Sequence, residues 1–191
     1  LDELIKGTLK SELSLDVLVA VEKNGDAKLL EKLKIYHDSK PMTDPLSLFQ
    51  ETLAGGNEEK GQFVFYNNEA AQCTKCHAIF EYGGNAGPGL EDLGKRLTKK
   101  QILASLITPS SEYAIGYEVV SLTLKDGTNE AGIVMERTKE HVKLKLGKED
   151  IRTIPQVDIA ESQSLPSSML PMGSVLKKKE IRDLVAFLKK L

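Results

Sequence analysis

Apolar residues recur at helical spacing near the start of the chain. Leu15 and Leu18 follow Ser14, a favourable N-cap residue, so the pattern predicts an amphipathic helix that begins there. Asp26 comes directly after an Asn-Gly break and is predicted to cap a second helix. Two or three helices of this length cannot bury their apolar faces alone. Residues 1–40 are therefore typical of the end of a helical stack from a longer chain.

Proline, glycine and capping residues divide the next part of the chain. Pro41 and Pro45 predict a linker, and the glycine-rich run that follows opens a helix that extends to about Asn67. Thr98 has Gln101 three residues later, which is the pattern of a capping box and predicts the start of another helix. We therefore expect a helical middle region that is interrupted by turns.

The apolar period changes to two residues at about 117–160. Val120, Leu122 and Leu124 alternate with polar positions, and the Asp-Gly pair after them is typical of a hairpin. Four short strands are predicted here, forming a small antiparallel sheet that curls into a barrel. An amphipathic helix then runs from about Lys177. The predicted fold class is therefore mainly α with a β insert.

Composition narrows the class of protein. The 191 residues carry a formal net charge of −2, which excludes a strongly basic molecule of the kind that binds nucleic acid. No apolar run approaches the roughly 18 residues of a membrane span, and none is typical of a signal peptide. The chain begins with Leu1, so we expect a mature product or a piece of a longer protein. We divide it into a helical-repeat remnant and linker at 1–52 and a main domain at 53–191 that contains the β insert.

The only two cysteines form the motif Cys73-Thr-Lys-Cys76-His77. A reactive dithiol pair normally follows a strand, whereas this pair follows a predicted helix. A structural zinc site would need two further ligands, and His37 and His141 lie far away in the sequence. In c-type haem attachment, each thiol adds to one vinyl group and the adjacent histidine binds the iron, which accounts for this spacing. All three chemistries stay open here, and haem attachment is favoured.

A second iron ligand is available near the end of the chain. Met169 and Met172 lie in a Ser- and Pro-rich loop just before the last helix. Methionine also fills gaps in ordinary cores, and that explanation stays open for either residue. A thioether opposite a histidine is, however, one of the ligand pairs that hold haem iron in cytochromes c.

Five features of this chain occur together in one known family. They are the Gly-x-x-x-Phe pair of the first main-domain helix, the Cys-x-x-Cys-His motif, a Gly-Pro-x-Leu run, the methionine loop and the final amphipathic helix. This combination resembles a class I cytochrome c. The resemblance implies that the first and last helices cross, with Gly61 and Phe65 on one side and Leu184 and Phe187 on the other. It also implies a cytochrome c fold that carries the small sheet between its middle helix and its methionine loop.

The resemblance further implies roles for individual residues. Cys73 and Cys76 would hold one haem c covalently, and His77 would bind its iron. The carbonyl of Pro88 would accept a hydrogen bond from His77 Nδ1 and so fix the tautomer of the ring.

The choice between the two methionines depends on register. In the family, the ligand methionine precedes the first apolar positions of the last helix at a regular spacing. Counting from Met169 places Leu176 and Ile181 at those positions, whereas counting from Met172 places a lysine at the first. Met169 is followed by Leu170 rather than by the usual proline, so Met169 is preferred and Met172 stays as the alternative.

Other side chains are candidates for contact with the haem or with a partner. Arg96 is a candidate for pairing with a propionate, although a solvated arginine explains it equally well. The lysines at 177–179 and 189–190 are candidates for a basic face that attracts an acidic redox partner, or simply for a solvated helix face. The candidates for apolar contact with the haem are Phe80, Leu90, Leu93, Leu97, Ile102 and Leu106.

The strand-rich insert is not part of a minimal cytochrome c. Its place in the chain, with phrases such as Gly116-Tyr-Glu and Glu180-Ile-Arg-Asp-Leu, resembles the haem-binding domain of Planctomycetes–Verrucomicrobia-type cytochromes over about 44–191. That resemblance implies an electron-transfer domain rather than an enzyme, a redox partner protein or fused dehydrogenase as electron donor, and a periplasmic or otherwise exported location. The alternatives are a five-coordinate haem enzyme or sensor, and an interaction module in which the motif is incidental.

Overall fold

The helices and strands fall into two compact units. The computed structural model describes residues 1–147 and 150–191. The helical unit comprises Leu1–Thr108 and Pro171–Leu191, and the β unit comprises Pro109–Leu170. The β unit is therefore an excursion between two parts of the chain that pack together.

Three helices open the helical unit. They are α1 (Asp2–Ile5), α2 (Ser11–Asn24) and α3 (Ala27–Asp38). A small apolar core joins α2 to α3, and its buried members are Leu18, Val21 and Leu33. Burial on this scale is small, as the short amphipathic pattern of the sequence implies.

The helical unit is completed by four further helices and a short hairpin. The helices are α4 (Glu58–Asn67), α5 (Leu93–Arg96), α6 (Lys99–Ile107) and α7 (Lys178–Lys190). The hairpin pairs β1 (Ala78–Ile79) with β2 (Tyr82–Gly83) between α4 and α5. Helix α7 contacts α4, α5 and α6, so the last helix in the chain is the centre of the unit.

The helix starts test the predicted caps. The prediction for Asp26 is confirmed, because its carboxylate accepts hydrogen bonds from two backbone N–H groups in the first turn of α3. Thr98 and Gln101 form the predicted capping box at the start of α6. The prediction for Ser14 is wrong, because α2 begins at Ser11 and Ser14 lies buried inside the helix. The local sequence looks the same for a serine that caps a helix and for a serine that is buried inside one.

The stretch predicted as a linker is a folded element. A 3₁₀ helix spans Pro45–Thr52, with Pro45 in the first turn and the Asp44 carboxylate capping its start. Glu51 and Thr52 are buried, because this helix packs against α6 and α7. The linker prediction is therefore wrong for this segment, since Pro45 starts a 3₁₀ helix instead of breaking the structure.

Helices α4 and α7 cross at a glycine. A β-carbon added at Gly61 would lie 2.0 Å from the carbonyl oxygen of Asp183 and 2.7 Å from Phe187 Cβ. The rings of Phe65 and Phe187 are 5.9 Å apart between centroids. The Asp183 carboxylate accepts a hydrogen bond of 2.9 Å from the backbone N–H of Asn57, just before α4. The predicted crossing of Gly61 and Phe65 with Phe187 is confirmed.

The described part of the β unit contains five antiparallel strands. They are β3 (Val119–Leu124), β4 (Asn129–Arg137), β5 (His141–Lys145), β6 (Ile151–Pro155) and β7 (Ile159–Ser164), in the spatial order β6-β5-β4-β3-β7. The core of this unit consists of Val120, Leu122, Val134, Val142, Leu144 and Ile154. In the described part of the chain, β6 and β7 are the two edges of the sheet, so the predicted barrel is not closed.

The fifth strand was not predicted, and its residues explain why. Ile159 is partly buried against the core, but the other five residues of β7 are exposed, so the strand has no apolar alternation. It joins the sheet through its backbone, with Val120 of β3 opposite Ser164. A strand held in this way leaves no signal in the pattern of hydrophobic positions.

The prediction of a mainly α fold is wrong. Helices make up 44% and strands 19% of the structure, and the five-stranded sheet has a core of its own. The protein has a mixed α/β fold rather than the mainly α fold of a cytochrome c with a minor insert. The physical reason is that β4 is longer than its apolar pattern, and β7 adds a strand that the pattern does not contain.

The predicted domain boundary and the search for membrane-spanning helices concern the chain as a whole. The boundary at 52/53 stays a prediction about the origin of the segments, because the packing division runs at Thr108 and Pro171. Among the helices in the described ranges, none is long and apolar enough to cross a membrane.

Candidate functional site

The two cysteines lie in a tight turn after α4. Cys73–Lys75 form a single 3₁₀ turn, and the backbone N–H of His77 donates to the carbonyl of Cys73 at 2.9 Å. Cys73 is partly buried and Cys76 is exposed, and neither is in a disulfide. Burial raises the pKa of the Cys73 thiol, which is the opposite of what a reactive redox thiol requires. The dithiol alternative therefore gains no support from the site.

The imidazole of His77 is held by one hydrogen bond and one glycine. Its Nδ1 lies 2.9 Å from the carbonyl oxygen of Pro88. A carbonyl oxygen only accepts, so Nδ1 carries a proton, and in the neutral form of the ring the lone pair is on Nε2. A β-carbon at Gly87 would lie 2.6 Å from His77 Cε1 and 2.9 Å from Nδ1. The hydrogen bond that the family resemblance implied is therefore present in the structure.

The glycine-rich loop lies directly against the motif. A β-carbon at Gly84 would lie 2.0 Å from the carbonyl oxygen of Lys75, and one at Gly83 would lie 2.1 Å from that of His77. The backbone N–H of Gly84 donates to Thr74 at 2.9 Å. The N–H of Gly87 donates to the carbonyl of the second cysteine at 2.7 Å. The run of glycines is visible in the sequence, but no sequence pattern predicts which backbone atoms each glycine contacts.

Arg96 holds the same loop from its other end. Its guanidinium donates to the carbonyls of Gly89 and Glu91 at 3.3 and 3.1 Å. These two acceptors flank Leu90 and the first of them directly follows Pro88, so the arginine braces the loop that carries the Pro88 carbonyl. A pairing of Arg96 with a propionate stays a prediction.

The candidate apolar residues divide by exposure. Leu90, Leu93, Ile102 and Leu106 belong to the buried core of the helical unit, and Leu97 is partly buried. Phe80 is 78% exposed, and Tyr82 beside it is 68% exposed. The side chains next to the motif therefore include aromatic surface as well as core.

The two candidate methionines lie in different surroundings. Met172 opens a 3₁₀ helix at Met172–Ser174 in the helical unit and is only 5% exposed, so protein atoms already enclose its thioether. Met169 lies in the β unit, is only partly buried, and donates its backbone N–H to Ser167 Oγ at 3.2 Å. The accessible thioether is that of Met169, and the preference for it stays a prediction.

Most lysines of α7 are engaged within the protein. Lys179 pairs with Asp16 at 2.7 Å, and Lys190 pairs with Glu58 at 2.5 Å. Lys189 donates to the carbonyls of Gly94 and Leu97. Two of these three lysines are in ion pairs and the third is bound to backbone carbonyls, so a basic docking face is not needed to explain them.

One buried polar network lies outside every sequence motif. Lys40 Nζ lies 2.6 Å from Glu51 Oε1, and the Tyr36 hydroxyl donates to the same oxygen at 2.5 Å. Glu51 Oε2 is buried, and no hydrogen-bond partner for it is found among the described residues. No periodic pattern links positions 40 and 51, so the sequence does not predict this pair.

The described residues and the comparisons with known proteins add two negative findings. In the ranges 1–147 and 150–191, no group of three or more His, Cys, Asp and Glu side chains is placed to hold a metal ion. Neither the models of known protein families nor the curated proteins contain a match to this chain. The class that fold and site define is a mixed α/β protein with a Cys-x-x-Cys-His turn braced by glycines.

Proposed function

We propose that this chain binds one haem c through Cys73 and Cys76 and transfers single electrons. The observation that carries the proposal is the hydrogen bond from His77 Nδ1 to the Pro88 carbonyl. It leaves Nε2 as a ready metal ligand, and the same turn presents two thiols outside any disulfide. A zinc-bound histidine would use the same orientation, but in the ranges 1–147 and 150–191 no group of three or more His, Cys, Asp and Glu side chains is placed to hold a metal ion.

The residues of the turn fit a covalently held haem. Addition of each thiol S–H across a vinyl double bond forms a C–S bond and places the hydrogen on the neighbouring carbon, so no oxidant is consumed. When bound, the haem iron would supply a one-electron change between Fe(II) and Fe(III). Cys73 and Cys76 would fix the haem in place, while Gly87 and Pro88 hold the His77 ring in one tautomer and orientation.

Met169 is proposed as the second iron ligand, with Met172 as the alternative. The support for Met169 is its partly exposed side chain and its register before α7. The argument against Met172 is that its thioether is already part of the core. Thioether ligation favours a higher reduction potential, which suits a carrier that accepts electrons from a dehydrogenase.

The proposal extends to partners and location. The electron donor is proposed to be a redox protein or a dehydrogenase domain on the same polypeptide. In the second case the linker would keep the donor close to the haem, so the two would not need a high binding affinity for each other. A periplasmic or otherwise exported location is proposed because thioether attachment of haem requires it. The domain itself is proposed to carry electrons rather than to turn over a substrate.

Co-production of the full chain with a cytochrome c maturation system tests attachment. We expect a red protein that stays haem-stained after denaturation and gives the pyridine haemochrome spectrum of two thioethers. Cys73→Ala and Cys76→Ala should each shift that spectrum to a single thioether, and the double variant should lose covalent haem. Thr74→Ala is the control inside the motif and should load normally. A colourless wild-type product would overturn the proposal and favour an interaction module.

The ferric absorption spectrum tests the second ligand. The weak long-wavelength band of iron–thioether ligation should be present in the wild type and absent in Met169→Ala. Met172→Ala should keep the band, and so should Met42→Ala, a control at a methionine that is 80% exposed. Loss of the band only in Met172→Ala would reverse the assignment. A wild-type protein without the band would favour the five-coordinate enzyme or sensor.

A further inference from the structure

We infer that Phe49 is a positioning residue for the methionine turn, defined as the 3₁₀ helix at Met172–Ser174, and that the buried Lys40–Glu51 pair fixes Phe49 in place. The inference rests on the proposed function for its link to iron ligation. Its structural part concerns only residues of the helical unit.

The first step is the contact between Phe49 and the methionine turn. A β-carbon at Gly173 would lie 2.7 Å from Phe49 Cζ and 3.3 Å from Phe49 Cε2. Ile107 Cδ1 would lie 3.3 Å from the same point. The aromatic ring therefore occupies the space that a side chain at Gly173 would take, and it packs directly on the backbone of the turn.

The second step is the restraint on the Phe49 ring itself. Lys178 Nζ lies 5.7 Å from the ring centroid, within the range of a cation–π contact. Thr52 Oγ1 donates to the carbonyl of Phe49 at 2.6 Å. The first contact holds the Phe49 ring against the start of α7, and the second fixes the Phe49 backbone within its own 3₁₀ helix at Pro45–Thr52.

The third step is the buried pair that joins this 3₁₀ helix to the segment just after α3. The side chains of Lys40 and Glu51 are only 7% and 6% exposed, and their charged atoms are 2.6 Å apart. The Lys40 ammonium also lies 4.9 Å from the centroid of the Tyr36 ring. A buried charge that loses its partner is strongly unfavourable, so the pair resists separation of the two elements. Glu51 is two residues from Phe49 in the same 3₁₀ helix. Because the ion pair restrains Glu51, it also restrains the backbone that carries the Phe49 ring.

The fourth step connects the turn to iron ligation. Met172 opens the turn, and Met169 precedes it by three residues. The Met172 carbonyl accepts from the N–H groups of Val175 and Leu176 at 3.1 and 2.8 Å. Either candidate thioether is therefore on a chain segment whose C-terminal end is tied by these bonds. Removal of the Phe49 ring should loosen the turn and make detachment of the thioether easier.

Amide hydrogen exchange of the full chain tests the structural part. In Phe49→Ala, we expect the amides of Val175 and Leu176 to exchange about tenfold faster, while the buried Ile181 amide of α7 serves as the reference for global opening. Leu48→Ala, one residue earlier and on an exposed side chain, is the matched control and should leave the exchange unchanged. Equal acceleration at Ile181 would show a global effect and would overturn the inference.

A double-mutant cycle tests the contact itself. Gly173→Ala should loosen the turn because its β-carbon meets the Phe49 ring, and Phe49→Leu in the same chain should relieve part of that effect. Additive effects of the two substitutions on exchange of the Leu176 amide would contradict a direct contact.

Displacement by imidazole tests the link to the iron. In the haem-loaded protein, Phe49→Ala and Glu51→Gln should each raise the affinity of added imidazole for ferric iron about tenfold, and Leu48→Ala should not. If the wild type attaches no haem, the proposed function fails while the exchange experiments still decide the structural part. If haem is attached and imidazole affinity is unchanged in both variants, the link to ligation is refuted.

Discussion

The Nδ1 atom of His77 lies 2.9 Å from the carbonyl oxygen of Pro88, eleven residues further along the chain. Gly87 precedes Pro88 and lies against the same ring. The loop therefore accepts the hydrogen bond from Nδ1 and also sets the plane of the imidazole. Backbone groups alone provide this orientation, which makes it sensitive to the shape of the loop. The glycine is therefore the residue at which the arrangement is most easily tested.

Replacement of Gly87 by alanine should displace the His77 ring. The added β-carbon would lie 2.6 Å from Cε1, closer than real contacts allow. Loss of such a supporting contact typically lowers metal affinity about tenfold or more, and we expect covalent haem loading to fall in proportion. NMR of the imidazole nitrogens in the unloaded protein should show a mixed tautomer. Gly147→Ala, whose nearest new contact is 3.9 Å away, is the control; a wild-type-like His77 signal in Gly87→Ala would contradict the expected displacement.

Replacement of Gly61 by alanine should separate α4 from α7. The new β-carbon would lie 2.0 Å from the Asp183 carbonyl oxygen, and backbone cannot yield as a flexible side chain can. We expect a loss of about 3 kcal/mol, at the upper end of the range for overpacking. Urea unfolding measures this loss, with Gln62→Ala on the exposed side of α4 as the control. Equal stability of the two variants would argue against the close crossing.

The two methionines should differ in their effect on the stability of the unloaded protein. Met172 is 5% exposed, so Met172→Ala should leave a cavity and cost about 2–5 kcal/mol. Met169 is only partly buried, so Met169→Ala should cost about 1 kcal/mol or less. Thermal or urea unfolding without haem separates packing from ligation. A larger loss for Met169→Ala would reverse the two roles.

Glu51 should contribute to the acid dependence of stability. Burial alone raises the pKa of Glu51, but hydrogen bonds from Lys40 and Tyr36 outweigh it and hold the pKa below the usual 4.5. A folded-state pKa below the unfolded value gives stabilisation that is present above the unfolded pKa. That stabilisation is lost as the pH falls through the folded pKa.

The variant Glu51→Gln should therefore show a flatter acid limb in a plot of unfolding free energy against pH. At neutral pH it should be less stable by about 3–5 kcal/mol, because Lys40 stays buried without its partner. Urea unfolding from about pH 7 down to about pH 3 covers the window. Glu31→Gln, on the exposed side of α3, is the control. An acid limb as steep as that of the wild type would show that Glu51 does not titrate in this range.

The sequence was sufficient to predict features that depend only on neighbouring residues. Asp26 caps α3 and Thr98 opens α6, because a cap depends on residues within one turn. Ser14 carries the same signal but lies inside α2, since a tertiary contact buries it. Strand β7 could not be predicted because all of its residues after Ile159 are exposed and pair with β3 through the backbone.

The candidate site was predictable to a similar extent. The motif from Cys73 to His77 and the role of the Pro88 carbonyl were visible through spacing and through resemblance to a family. The contact of Gly173 with Phe49 and the pairing of Lys40 with Glu51 were not visible, because they join segments far apart in the chain. Such contacts depend on the packing of whole helices, and no window of sequence contains them.

The β unit interrupts the helical unit in the order of the chain, and this has a consequence for the order of folding during synthesis. Helix α4 leaves the ribosome long before α7, its main packing partner, because Pro109–Leu170 are made between them. The β unit has its own core and its full set of strands by that time, so it can fold while the Cys-x-x-Cys-His turn is still attached to an unpaired helix. A modifying enzyme would therefore meet the Cys-x-x-Cys-His turn while α4 still lacks its main packing partner.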